Sequence, residues 1–434
     1  MGQAMQLRIR GRAGGLRGTL EVPGDKSVTH RALLLGAMAS GTTRLRRPLR
    51  SGVTEAMDDC LGPLGVRVEH PGPEETLVHG AAWRNPDAPL DCRGSGTTLR
   101  LLLGALAGSE VEATLTGSPR LRRRPMARVT EPLRRMGTQV TGLNGTDQPP
   151  LHVRGARLHG ISYRMPVASA QVKSAILLAG LHAQGSTRVH EPVPSRDHTE
   201  RLLRHLGVPL VTENGAVRLE PIDGRLPAFD LAVPGDFSAA CFLLAAAVLT
   251  PGSEVTIQEV GLNPTRTGLL SAMRSMGARI EVGAAANSGV EPTGEVTAQT
   301  SALEGIRVDA HQVVGMIDEI PLLILLATQA RGRTSVAGAS ELRRKESDRL
   351  TAMTAELSKM GALIREYGEA VTIEGPTPLR GAEVSAHGDH RVAMALAIAG
   401  TIASGETLLS DAQVIQDSYP GFAAALRSLG ADLQ

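Results

Sequence analysis

PGDKSVTHRALLL, residues Pro23–Leu35, opens on a Pro-Gly turn and then sets Asp25, Lys26, Ser27 and Thr29 ahead of an apolar run. Asp, Ser and Thr are the residues that cap a helix start, because their oxygens accept backbone N–H groups left without a partner there. Lys26 and Arg31 lie within about a turn and a half of that end. Free N–H groups, the positive end of the helix dipole and two cations are together the makings of an anion site. An ordinary capped helix with a solvated lysine is the plain alternative, and this stretch alone does not separate the two.

Five weaker echoes of the same stretch occur further along the chain. They are RGSGTTLRLLLGALAG from Arg93, VASAQVKSAILLAGLHAQG from Val167, PGDFSAACFLLAAAVLTPG from Pro234, MIDEIPLLILLATQARG from Met316 and HGDHRVAMALAIAGTIASG from His387. Each has a small or polar entry, an apolar run at helical spacing, a glycine stop and a strand-like tail. A second helix is expected after each copy, closed by a Leu-Gly or Met-Gly pair at Gly65, Gly137, Gly207, Gly277, Gly361 and Gly430. These glycines are spaced at 72, 70, 70, 84 and 69 residues, which is the mark of a repeat. Glycine there suits a left-handed position just past a helix. The repeating unit is therefore strand, helix, strand, helix, strand, strand.

Six such units divide into three and three. LAVPGDFS, Leu231–Ser238, resembles the VPGDKS of Val22–Ser27, and both read as crossings between domains. The expected organisation is a discontinuous domain of residues 1–22 plus 235–434 and a continuous one of residues 23–234, with any ligand in the cleft between them.

Composition narrows the function. The chain of 434 residues is 42% hydrophobic and 21% charged, which is globular, with a net charge of +2 that favours neither nucleic acid nor a membrane surface. Aromatics at 2% provide no stacking platform for bases. Cys60, Cys92 and Cys241 are far apart and odd in number, so neither a disulfide framework nor a zinc site is expected, and no metal is expected at all. No apolar run reaches the 18 or so residues that span a bilayer, and the start lacks the apolar core of a signal peptide; a cytoplasmic location is expected.

The candidate anion-binding arginines lie in TGSPRLRRRPM (Arg120, Arg122, Arg123, Arg124), ELRRKESDR (Arg343, Arg344, Arg349) and GDHR (Arg391). Arginine suits phosphate and carboxylate because its planar fork bonds them at two points. Singly, each reads as a surface residue; as a set near helix starts, they read as a cradle. Two acids stand among them. Asp318 in GMIDEIPLL reads either as a helix cap or as a proton-handling group, and Glu346 in RRKESDR as a salt-bridged helix face or as the same. His198 and His390 read as cap or packing residues.

With these strings assembled, the chain resembles the 5-enolpyruvylshikimate-3-phosphate synthase family of the bacterial type. PGDKSVTHRALLL, SGTTLRLL, RRPM, SAQVKSAILLAG, SRDHTERLL, IDEIPLL, KESDR and GDHRVAM succeed one another in that family's order, nearly end to end. The resemblance implies an α/β fold of two domains, each of three βαβαββ units with helices converging inside, an inside-out α/β barrel. It implies transfer of the enolpyruvyl group of phosphoenolpyruvate to the 5-hydroxyl of shikimate 3-phosphate, releasing phosphate through a tetrahedral intermediate. It implies no cofactor, a monomer, no nucleic-acid or membrane partner, and inhibition by glyphosate.

Carried over residue by residue, Lys26 touches both substrates, while Ser27, Arg31, Ser169, Ala170, Gln171 and Ser195 hold shikimate 3-phosphate. Asp318 accepts the 5-hydroxyl proton with Lys345 beside it, and Glu346 protonates the methylene carbon. Gly96, Arg124, Arg349 and Arg391 cradle phosphoenolpyruvate, with Gln171 reaching it as well. Three departures bear on affinity. Gly94 stands where the family has Asn, LRSGVT (Leu49–Thr54) lacks an acid after its serine, and Asp417 stands where some members carry lysine. Two other readings compete: the sister enolpyruvyl transferase acting on UDP-N-acetylglucosamine, and a non-catalytic anion-binding relative. RNA 3′-phosphate cyclase uses a related repeat, but its nucleotide-modifying histidine has no counterpart here.

Overall fold

Each strand-like tail forms the middle of its own small sheet. The strands Ala39–Arg46, Glu112–Thr116, Thr187–His190, Glu254–Gly261, Gly332–Val336 and Glu406–Ser410 each have a parallel and an antiparallel partner, and in Glu112–Thr116, Thr187–His190 and Gly332–Val336 these are the strand before the helix and a later strand of the same repeat. This is the pairing that a strand-helix-strand-helix-strand-strand unit produces. The computed structural model describes residues 5–11, 14–284 and 289–434, the side chain of Asn144 excepted. Among these residues there are six sheets, five of four strands and one of five.

Three of the sheets are completed by chain from elsewhere, one of them by Arg17–Glu21, which lies parallel to Glu254–Gly261. Asp230–Ala232 lies parallel to Ala39–Arg46, with Asp230 opposite Arg44. Leu7–Arg10 pairs antiparallel with Glu406–Ser410, so the first described strand closes the last repeat. The chain divides into two compact units, Gly24–Pro234 with Ser288–Glu291, and Met1–Pro23 with Gly235–Asn287 and Pro292–Gln434.

The helix after each first strand is buried on all sides, as its composition requires. Phe237 to Val248 is buried without a break, and so is Ile320–Thr328. A helix apolar all round has no solvent face to offer. The strands alternate buried and exposed residues (Leu7–Arg10 reads buried, exposed, buried, exposed), so the sheets lie outside with one wet face. Small residues let the inner helices meet. A β-carbon on Gly104 of helix Gly96–Ala107 would sit 2.4 Å from the Ala175 carbonyl oxygen of helix Ala170–Gly180. The fold is the α/β inside-out arrangement expected from the repeats. All six terminal glycines are left-handed, with φ from 79° at Gly207 to 110° at Gly137.

Candidate active site

In the Gly24–Pro234 unit the three central helices begin side by side. Asp25 caps helix Lys26–Met38, accepting from the Ser27 and Val28 amides at 2.7 and 2.9 Å. One turn in, the His30 ring bonds the Lys26 carbonyl at 2.7 Å through Nδ1 and lies 3.2 Å from Ser95 Oγ, the cap of helix Gly96–Ala107. Burial, with help from the Lys26 and Arg31 charges, lowers the His30 pKa to about 4, so the ring is neutral. Arg31 reaches helix Ala170–Gly180 and its neighbour: Nε donates to Thr199 Oγ1 at 2.7 Å, and the two terminal nitrogens to Ser174 Oγ and the Ser27 carbonyl, both at 2.9 Å. All three acceptors are neutral. Burial pulls Arg31 down to about 10, although Glu200 and Asp25 act against it. A buried cation whose bonds go to neutral oxygens is a place where an anion gains more than it does in water.

Gln171 ties the third helix to the second. Its amide donates to Thr97 Oγ1 at 2.8 Å and accepts from Arg100 at 2.6 Å. Ser169 caps that helix through the Val172 amide, and Ala170 is its first residue. A β-carbon on Gly96 would lie 2.8 Å from Arg124 and 2.9 Å from Arg100, so glycine keeps both guanidinium groups against this helix start. Ser195 is buried and donates its hydroxyl to Glu191, which also pairs with the buried Lys173 at 2.7 Å. A separate cavity of about 520 Å³, lined by Asn85, Arg154, Arg157 and His182 among others, lies toward the far ends of these helices, beside Gly108.

The other unit concentrates carboxylates. Arg349 is 2% exposed and donates to Asp389 at 2.8 Å, to Asp318 at 3.1 Å and to Glu346 at 2.8 Å. Burial alone would lower its pKa, but these three anions raise it instead. Asp389 in turn is held below the usual carboxylate range, the Arg349 charge outweighing the cost of burial. Arg391 donates to Glu319 at 3.2 Å and lies 4.0 Å from Asp318. Lys345 Nζ stands 3.8 Å from Asp318. One guanidinium thus fixes two partly exposed carboxylates, Asp318 and Glu346, beside a lysine, an arrangement suited to moving protons on a bound anion.

Asp318 is not a helix cap. Helix Ile320–Thr328 starts two residues later with Glu319 in the cap position. Glu346 lies between the 3₁₀ turn Ser340–Arg344 and helix Arg349–Lys359, not on a helix face. Arg343 pairs with Asp348 and Glu366 on the surface, and Arg122 bonds the Gly117 carbonyl. His390 begins helix His390–Ile402, and His198 is buried against Glu291 at 2.7 Å. Gly94 and Asp417 are exposed, and Ser51 of the LRSGVT stretch caps helix Gly52–Leu61. Arg100, Arg266, Glu319 and Asp389 carry no signal in the sequence that sets them apart, though each is part of these networks. Among the described residues no group of three His, Cys, Asp or Glu side chains is placed to hold a metal, and no helix is long and apolar enough to cross a membrane.

The model of the EPSP synthase (3-phosphoshikimate 1-carboxyvinyltransferase) family matches residues 12–426. The chain belongs to the EPSP synthase family. It is 50% identical over 412 residues to the 3-phosphoshikimate 1-carboxyvinyltransferase of Thermus thermophilus, covering 94% of this chain and 95% of the relative. With that of Thermodesulfovibrio yellowstonii it shares 44% over 426 residues, 97% and 99% of the two chains. The solved EPSP synthase of Acinetobacter baumannii superposes with a TM-score of 0.88 at 38% identity over 99% of each chain. The enolpyruvyl transferase NikO of Streptomyces tendae shares the fold, with a TM-score of 0.82 at 20% identity over 99% and 98% of the chains. Membership of the EPSP synthase family makes the chain a carboxyvinyl-transferring enzyme and leaves the UDP-sugar and non-catalytic readings with less support.

Proposed function

We propose that this chain moves the enolpyruvyl group of phosphoenolpyruvate to the 5-hydroxyl of shikimate 3-phosphate, with the work divided between its two units. The observation that carries the division is Arg349, whose single guanidinium holds Asp318 and Glu346 at 3.1 and 2.8 Å. Asp318 takes the proton of the attacking hydroxyl as its oxygen bonds C2 of phosphoenolpyruvate. Glu346 gives a proton to C3, so the double bond becomes a methyl group in a tetrahedral adduct. Elimination returns a proton from that methyl group to a carboxylate, re-forms the double bond and expels phosphate, which leaves with the proton taken from the hydroxyl. Lys345, Arg349 and Arg391 support the phosphate and carboxylate of the adduct, which carries more charge than either reactant.

Binding falls to the other unit. Lys26, Ser27, Arg31, Ser169, Ala170, Gln171 and Ser195 take shikimate 3-phosphate; Gly96, Arg124, Gln171 and Lys26 take phosphoenolpyruvate. Arg31 supports this reading best, since its hydrogen bonds all go to neutral oxygens. Ser195 reaches the ligand only by releasing Glu191. The enzyme acts as a cytoplasmic monomer and is inhibited by glyphosate in the place of phosphoenolpyruvate; sedimentation checks the monomer and a competition assay the inhibition.

The decisive assay is phosphate release with both substrates present. Asp318→Ala is expected to lower turnover by roughly 10²–10⁴, the range for a general acid–base group. Undiminished turnover in that variant, or release with UDP-N-acetylglucosamine in place of shikimate 3-phosphate, would remove the assignment.

A further inference from the structure

One buried arginine of the carboxylate cluster has no role in this division of work. Arg266 lies in GLNPTRTG, between strand Glu254–Gly261 and helix Gly268–Ser275. Asn263 shapes that loop: its Oδ1 accepts from the Thr265 amide at 2.9 Å and the Thr265 hydroxyl at 2.7 Å, and its carbonyl accepts from the Arg266 amide at 2.8 Å. The turn sends the Arg266 side chain inward, where it is 2% exposed.

Its guanidinium is held from behind. One terminal nitrogen donates to Ser238 Oγ at 2.6 Å and to Asp236 Oδ1 at 3.0 Å, both at the start of helix Phe237–Leu249. Ser238 passes its own hydroxyl proton to Glu319, so the anchor is part of a closed network. The other terminal nitrogen faces forward, 3.6 Å from Glu319 Oε1 and 3.9 Å from Asp318 Oδ2. Asp318 therefore has Arg349 and Lys345 on Oδ1, at 3.1 and 3.8 Å, and Arg266 and Arg391 on Oδ2, at 3.9 and 4.0 Å.

We infer that Arg266 is a positioning residue for Asp318 in the transfer reaction. The 3.9 Å gap is too long for a direct hydrogen bond, so Arg266 acts through charge and packing. It pins the Oδ2 side and leaves the carboxylate one orientation toward the attacking hydroxyl. Geometry of this kind matters to rate more than to affinity, because small misplacements at a reacting atom cost large factors. The inference rests on Asp318 as the proton acceptor.

Arg266→Lys keeps the charge and loses the planar fork, one nitrogen of which bonds Ser238 and Asp236 while the other faces Glu319 and Asp318. Turnover is expected to fall about tenfold, with KM for both substrates within about twofold of the parent. In an Asp318→Asn background the same change is expected to cost less than about twofold, since a residue that acts through another has nothing left to position. Should Arg266→Lys fail to fold, Ser238→Ala removes one anchor and is expected to show a smaller loss with the same dependence on Asp318. Equal fold losses in both backgrounds, or parental turnover in Arg266→Lys beside a crippled Asp318→Asn, would overturn the inference alone. Parental turnover in Asp318→Asn would overturn it together with the assignment beneath it.

Discussion

Two helix starts in this molecule are written almost alike and used differently. Pro23-Gly24-Asp25-Lys26-Ser27 and Pro234-Gly235-Asp236-Phe237-Ser238 share the turn, the cap and the serine. Their caps agree in conformation, Asp25 at φ −61°, ψ 121° and Asp236 at φ −66°, ψ 114°, and both accept from the serine amide. The residue after the cap sets the two apart. Lys26 and Ser27 stay half-exposed, whereas Phe237 and Ser238 are sealed at 1% and 2% exposure. Asp236 has a protein cation against it, Arg266 at 3.0 Å, whereas Arg31 near the other start gives its hydrogen bonds to Thr199, Ser174 and the Ser27 carbonyl. A cap motif thus specifies a helix, and the next side chain specifies whether that helix end is sealed in the core or left half-exposed.

Exchanging the duties of these positions is the strongest way to break the contrast. Phe237→Ala should cost about 3–5 kcal/mol of stability, as buried aromatic truncations do, with the kinetics of the folded enzyme close to parental. Lys26→Ala should do the reverse, raising KM for both substrates at least about tenfold while denaturant unfolding moves by no more than about 0.5 kcal/mol. The caps themselves sharpen it. Asp236→Ala strips a buried cation of a partner and should cost about 3 kcal/mol. Asp25→Ala removes the cap bonds to the Ser27 and Val28 amides, a loss of about 1 kcal/mol for those bonds. Equal losses at the two sites would erase the distinction.

The pH dependence of stability probes the open start through His30. An unfolded histidine takes its proton near 6.5, while the folded ring resists until about 4. The unfolded chain therefore binds the proton first as pH falls. The contribution of His30 is whole above 6.5 and is lost on the way down to 4, about 3 kcal/mol in all. Asp58, raised to about 7 by burial and then by Asp59, works in the opposite sense, its contribution fading as pH rises from 3.8 toward 7. The difference between parent and His30→Gln stability curves isolates the histidine. The smallest effect is at Gly96. An alanine there meets the ends of Arg124 and Arg100, which can swing aside, so KM for phosphoenolpyruvate should rise several-fold with the fold intact.

Local signals carried most of the fold in the sequence. The terminal glycines at 65, 137, 207, 277, 361 and 430 were legible because a left-handed residue after a helix is a demand of the backbone alone. The caps Asp25 and Asp236 were legible for the same reason. Asp318 was half legible: an acid before an apolar run reads as a cap or as a proton-handling group, and the tertiary approach of Arg349, 31 residues on, is what the sequence does not show. Arg100 looks like any polar residue on a helix until Gln171, 71 residues away, accepts from it. Asp389 was hidden likewise, bonded to Arg349 of the preceding repeat, and so was Arg266, whose partners Asp236 and Ser238 lie 30 and 28 residues back in its own repeat. The networks are built by tertiary approach, within one repeat for Asp318, Glu346 and Arg349 and between repeats for Asp389 and for Arg100 with Gln171, and sequence spacing reveals neither.

The central claim is that the Asp318 unit does the chemistry while the Lys26 unit does most of the binding. Calorimetric titration of shikimate 3-phosphate into Asp318→Ala tests it most directly, set beside phosphate release by the same protein. The account expects a Kd within about tenfold of the parent and release lower by at least about 100-fold. Binding lost in the same proportion as turnover, or turnover left intact, would contradict it.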